Sequence, residues 1–171
     1  MILMKVQEII TKLKLIPHPK EGGFFFETYR SSEIIKKQAL PERYNDNRCI
    51  GTAIYYLLTN STFSEMHRLG SDEIFHFYLG DPVEMLQLYP DGSSKIVILG
   101  NKILENMKVQ TIVPRNVWQG AKLINEGEYA LLGTTVAPGF EYIDYEQGNR
   151  EELISKYPKY KNLITLLTIN D

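Results

Sequence analysis

The sequence predicts an all-β fold, a barrel or sandwich of antiparallel strands, and three observations predict it. From Ile50 to Tyr145 the chain reads as about nine short apolar or alternating runs separated by turn residues. Helical periodicity is confined to the two ends, at Val6 to Ile16 and after Gly148. A length of 171 residues fits one domain, which buries roughly 70% of the surface the unfolded chain exposes.

Val6, Ile9, Ile10, Leu13 and Ile16 recur at helical spacing among lysines and other polar residues, so one amphipathic helix is expected to end at Pro17. His18-Pro19-Lys20-Glu21-Gly22-Gly23 is a turn, and the aromatic run Phe24 to Tyr29 begins the first strand. Pro90-Asp91-Gly92-Ser93 and Asn125-Glu126-Gly127-Glu128 each read as the turn of a hairpin. Asn149 followed by Glu152 fits a helix capping box, and Leu163, Ile164, Leu166 and Leu167 form an apolar stripe, so one or two short helices close the chain. No repeat or linker divides residues 1–171, with the barrel core at about 22–145.

Net charge is −2 and the isoelectric point is near 6.0, which gives no basic footprint for nucleic acid. Apolar runs such as Thr52 to Leu58 are far shorter than the roughly 20 residues that cross a bilayer, and no secretory leader is read, so a cytoplasmic protein with no membrane partner is expected. Cys49 is the only cysteine, so neither an intrachain disulfide nor a thiolate metal cluster is available; a buried thiol is the expectation.

The most informative stretch is Phe63-Ser64-Glu65-Met66-His67-Arg68-Leu69-Gly70-Ser71-Asp72-Glu73-Ile74-Phe75-His76-Phe77-Tyr78-Leu79-Gly80. It resembles the first cupin motif, with His67 at the first histidine position, Glu73 at the glutamate and Gly80 at the glycine, while Leu69 replaces the second histidine. Pro114-Arg115-Asn116-Val117-Trp118-Gln119 resembles the second motif, with Gln119 in place of the last histidine. Together with Glu21-Gly22-Gly23, Glu27-Thr28-Tyr29-Arg30-Ser31, Thr52 to Leu58 and Thr135 to Phe140, this set is similar to a cupin family long labelled a domain of unknown function. The resemblance implies a double-stranded β-helix, or jelly roll, close to the RmlC-like nucleotide-sugar epimerases, and a homodimer.

Three catalytic candidates follow. His67 is a candidate general base because imidazole titrates near neutrality. Strand alternation places Glu73 with Phe75 and Phe77 on one face, where a carboxylate in an aromatic cavity needs a partner or a proton. His76 falls on the other face with Ile74 and Tyr78, unless a bulge exchanges the faces. Ligand-binding candidates are Tyr29 and Arg30 at the barrel mouth, Ser64, Phe75, Gln119 beside a wall-packing Trp118, and Asp144, where an epimerase-like site would place a carboxylate to orient a histidine.

Two functional readings result. One is a metal-independent, RmlC-like protein that binds a small polar ligand, sugar-like or carboxylate-bearing, in the lumen, with proton abstraction beside a carbonyl by His67 and a tyrosine as acid. The alternative is a metal-dependent, oxygenase-like cupin holding a divalent ion through His67, Glu73 and Gln119. Only His18, His67 and His76 are available as imidazoles, which favours the metal-free reading, and a binding module without chemistry stays open. A dimer interface is expected to use Phe24 to Arg30, because consecutive aromatics send side chains to both faces of an edge strand.

Overall fold

The computed structural model describes residues 2–124 and 127–169. In chain order the elements are α1 (Ile2–Leu13), β1 (Ile16–Pro17), β2 (Phe24–Arg30), β3 (Ile34–Ile35), β4 (Arg48–Cys49), β5 (Thr52–Thr59), β6 (Ser64–Leu69), β7 (Glu73–Gly80), β8 (Val83–Leu88) and β9 (Ser94–Leu99). They continue with β10 (Gln110–Val113), β11 (Trp118–Leu123), β12 (Tyr129–Val136), β13 (Tyr145–Gln147), α2 (Arg150–Lys156) and α3 (Lys161–Leu166).

Two antiparallel sheets face each other. One has the order β1-β2-β5-β12-β7-β10 and the other β13-β6-β11-β8-β9, with β3 and β4 pairing separately. From β5 to β13 the chain passes from one sheet to the other at every step except β8 to β9, which form a hairpin with Leu88 opposite Ser94. This winding is the jelly roll expected, and the hairpin at Pro90 to Ser93 is present. The second expected hairpin is not: β11 and β12 belong to different sheets, so Gly127 and Glu128 lie on a crossing, while Asn125 and Glu126 fall outside the described residues.

Alternation fills the space between the sheets. Tyr56 and Leu58 of β5, Phe75 and Phe77 of β7, Val83 and Met85 of β8, Ala121 and Leu123 of β11, and Ala130 and Leu132 of β12 form one buried apolar cluster. Helix α1 lays Val6, Ile9, Ile10 and Leu13 against Leu57, Tyr129 and Leu131 on the outside of the first sheet. It ends at Leu13, earlier than expected, because Lys14 adopts φ 56° and turns the chain so that Ile16 and Pro17 pair with Phe25 and Phe24.

The closing helices α2 and α3 bury Leu153, Ile164 and Leu167 against Met66, Leu86 and Leu88 on the outside of the second sheet. The Asn149 side chain accepts from the Glu152 N–H, as the capping pattern predicts. Leu166 departs from the expected stripe and is exposed. Among the described residues no helix is long and apolar enough to cross a membrane.

Candidate functional site

A cavity of about 280 Å³ opens at one end of the lumen. Its wall includes His18, Glu21, Phe25, Glu27, Arg30, Thr52, Glu73, Thr134, Glu141 and Tyr142. Six of these residues come from β2, β5, β7 and β12, whereas His18 and Glu21 come from the turn before β2.

That turn is shaped by two glycines. Gly22 and Gly23 have φ values of +80° and +68°, and a Cβ on Gly23 would lie 2.7 Å from the Leu57 carbonyl. The turn is pinned across the barrel end by Glu65 N–H to the Glu21 carbonyl at 2.8 Å and by the Tyr56 hydroxyl to the Gly22 carbonyl at 3.0 Å. Glu21 is thereby held inside, with its carboxylate oxygen 3.8 Å from Nε2 of both His18 and His67.

The backbone sets the tautomers of these two histidines in opposite senses. His67 Nδ1 faces the Glu65 carbonyl at 2.7 Å; a carbonyl only accepts, so Nδ1 carries the proton and Nε2 presents a lone pair. His18 Nδ1 accepts the N–H groups of Lys20 and Glu21 at 3.3 and 2.8 Å, so its proton sits on Nε2. Burial lowers both pKa values, that of His18 to about 4, and both rings are neutral at pH 7.

The two carboxyls are displaced the other way. Burial raises Glu21 to about 8, and burial together with Glu21 raises Glu73 to about 7, against the opposing pull of His67, Gln119 and Thr134. Gln119 donates through Nε2 to Glu73 at 2.5 Å and to the His67 lone pair at 3.3 Å, while its Oε1 is buried without a hydrogen-bond partner among the described residues.

His67, Glu73 and Gln119 therefore converge as expected, but across the lumen rather than along one sheet. His67 and Gln119 sit opposite one another on β6 and β11 of the second sheet, and Glu73 reaches them from β7 of the first. Glu73 borders the cavity, whereas His67 is fully buried behind it, stacked on Tyr145 at 5.2 Å. Glu21 and Glu73, and not His67, border the cavity.

Other candidates are corrected by position. His76 lies on the outer face of its sheet, hydrogen-bonded to Thr135 and Gln110, because β7 keeps its alternation through residues 73–77. Tyr29 points outward and is 56% exposed, since a bulge between Glu27 and Tyr29 brings Arg30 rather than Tyr29 to the mouth. Phe75 fills the closed part of the lumen, and Ser64 is buried beside the Tyr56 phenol, so neither borders the cavity. Asp144 does not face His67: it makes a bidentate pair with buried Arg48 at 2.7 and 2.9 Å. Trp118 packs outside the barrel with Met66 and Leu86, under the Arg68 guanidinium at 4.4 Å. Cys49 is buried, as expected.

Comparison with known proteins bears on this geometry. Residues 7–148 match the family described as "Cupin superfamily (DUF985)". The chain belongs to this family. Among curated proteins it is 30% identical over 149 residues to the uncharacterized protein YML079W of Saccharomyces cerevisiae, covering 82% of this chain and 73% of that one. Among solved structures, a hypothetical protein from Leishmania major and protein SO0799 from Shewanella oneidensis each align with a TM-score of 0.85 over 96% of this cupin and 98% of their own chains, at 27% and 28% identity. Oxalate decarboxylase from Bacillus subtilis aligns with a TM-score of 0.53 at 15% identity, over 92% of this chain and 38% of its own, which is a likeness of fold.

Many cupin barrels are built to hold a metal ion, but the donors here do not fit one. Leu69 is apolar, Gln119 turns its N–H₂ group toward both His67 and Glu73, and His18 points an N–H into the lumen. Among the described residues no group of three or more His, Cys, Asp and Glu side chains is placed to hold an ion.

Proposed function

We propose that this cupin binds a small, polar, sugar-like molecule in the lumen and exchanges protons with it as a metal-independent isomerase or epimerase. The observation that carries the reading is the pair Glu21 and Glu73 on the cavity wall, with pKa values of about 8 and about 7. Two carboxyls both raised into the neutral range exchange protons near pH 7, so one of the pair serves as base and the other as acid. Ionised Glu73 takes the proton from the carbon beside a ligand carbonyl, and protonated Glu21 gives its proton to the carbonyl oxygen, yielding an enediol. Return of a proton to the other face or the neighbouring carbon completes an epimerisation or isomerisation.

Tyrosine is replaced as the acid in this scheme. Burial holds Tyr56, Tyr142 and Tyr145 above the ordinary phenol range, which suits them to hydrogen bonding rather than proton donation near neutrality. His67 and Gln119 are positioning residues: the amide spans His67 and Glu73 and holds the carboxyl toward the cavity.

The test is incubation with a panel of ketoses and aldoses in D₂O, following loss of the C–H signal beside the carbonyl by NMR. Wild type exchanges at least one of them, and Glu73→Gln slows that exchange by about a hundredfold or more. Binding without exchange by the wild type would make the protein a ligand carrier and sink the catalytic reading.

We also propose a homodimer. Phe24 is covered by α1 and Phe25 by the lumen, but Phe26 is exposed on the part of β2 that β1 leaves unpaired. Light scattering should give about twice the 19.7 kDa chain mass; the monomer mass would refute it.

A further inference from the structure

The lumen combines a surplus of acceptors with one neutralised cation. Four carboxyl-bearing residues line the cavity, namely Glu21, Glu27, Glu73 and Glu141. Arg30 is the guanidinium among the described lining residues, and it is already held by Glu27 at 2.9 and 3.0 Å and by Glu141 at 2.7 Å. An arginine at a barrel mouth suggests an anion clamp, but this fork is filled from within. Lys20, the neighbouring cation, is exposed and lies over the Tyr142 and Tyr145 rings at 5.6 and 5.4 Å, outside the cavity lining. Both lumen histidines are neutral, so neither supplies positive charge.

Hydrogen-bond capacity points the same way. Beneath the carboxyls, Gln119 Oε1 is a fully buried acceptor with no donor among the described residues. Facing them, His18 Nε2–H is a donor directed toward Glu21. A carboxylate or phosphate entering here would find the guanidinium already filled and could be admitted only with Glu21 and Glu73 held protonated. An ammonium group brings three donors, no acceptor and one positive charge, and the rings of Phe25, Phe140 and Tyr142 in the wall offer π faces to a cation.

We propose that the ligand of this lumen carries a protonated amine that docks between Glu21 and Glu73, and that the Glu27–Arg30–Glu141 cluster at the mouth excludes anions. This rests on the small-ligand reading above and names its charge class. An amino sugar carries the ammonium on a sugar-like body; seated between Glu21 and Glu73 it holds both carboxyls ionised, so it is a ligand of the site rather than a substrate of the proton transfer proposed above. Docking of the ammonium favours the ionised carboxyls, so binding near neutral pH releases protons.

The experiment is calorimetric titration with glucose, glucosamine and glucuronate near neutral pH, repeated in buffers of different ionisation enthalpy. Glucosamine should bind at least about tenfold more tightly than glucose, with glucuronate weakest, and its heat should vary with the buffer as protons leave the site. The exposed double variant Glu27→Gln/Glu141→Gln, which frees Arg30 without touching the lumen floor, should gain glucuronate affinity. Glucuronate binding to wild type as tightly as glucosamine overturns the proposal, as does equal binding of glucose and glucosamine; either result leaves the proton-transfer reading standing if exchange in D₂O is seen. Ethanolamine, ethylene glycol and glycolate separate charge from scaffold. A preference for ethanolamine without hexose binding keeps the ammonium site and overturns the sugar-like reading, and no preference in either set removes the ammonium site.

Discussion

Arg48 with Asp144, and Glu21 with Glu73, are two ways of enclosing carboxyl groups in one molecule. Asp144 has a guanidinium locked onto both oxygens, and Arg48 has a side-chain exposure of 1%. That arrangement ties the loop before β13 to β4 and engages both carboxylate oxygens with one guanidinium. Among the described residues Glu21 and Glu73 have no cation bound to them, but neutral imidazoles, the Gln119 amide and the Thr134 hydroxyl, so they hold protons at pH values where an ordinary glutamate has lost them. Burial without a counter-charge makes a reactive group, and burial with one makes a strut.

The largest expected effect strikes the strut. Arg48→Met leaves Asp144 buried and unpaired and should cost about 3–5 kcal/mol in urea unfolding, whereas Arg48→Met/Asp144→Leu should regain most of it. A loss no greater than that at an exposed ion pair would break the contrast.

The next effect is on the reactive pair. Glu21 and Glu73 titrate higher in the folded chain than the ordinary 4.5, so their stabilising contribution is complete below pH 4.5 and is lost as pH rises through about 7 and about 8. His18, lowered from 6.5 to about 4, contributes oppositely: its contribution is complete above 6.5 and is lost as pH falls through about 4. The trends oppose each other between pH 4.5 and 6.5, and above 6.5 only the carboxyls act. Stability should therefore fall by on the order of 2 kcal/mol from neutral toward mildly alkaline pH, and Glu21→Gln should flatten most of that decline. A wild-type profile that rises over this range would place charged carboxylates in the lumen.

The smallest effect calibrates burial itself. Arg68 and Glu146 repeat the bidentate geometry at 2.7 and 2.8 Å, but with side chains 33% and 55% exposed. Glu146→Gln should cost less than about 1 kcal/mol, since water screens the pair in both states.

The architecture was legible because it rests on periodicity. The alternation of Glu73, Phe75 and Phe77 survives from sequence to structure, and the Asn149 cap is where its spacing put it. The crossing between β11 and β12 was not legible, because turn residues look alike whether the strands they join pair or part company. In the site, His67, Glu73 and Gln119 were found through their motif spacing. Glu21 and the role of His18 were missed, since a turn shows no face until the two glycines fold it over the barrel end. The spacing His18-Pro19-Lys20-Glu21, followed by paired glycines, was the available signal. Asp144 failed for the opposite reason: its partner Arg48 lies 96 residues away, and only three-dimensional proximity reveals the pair.

The Gly22–Gly23 turn only links β1 to β2, yet the segment it closes carries two of the lumen's titratable side chains. The strands thus supply Glu73, Glu27 and Arg30, and a six-residue turn adds His18 and Glu21. Replacement of residues 18–21 would re-equip the cavity without altering a single strand register, so diversification of ligand chemistry within this architecture can proceed through one short loop while the sheets keep their pairing.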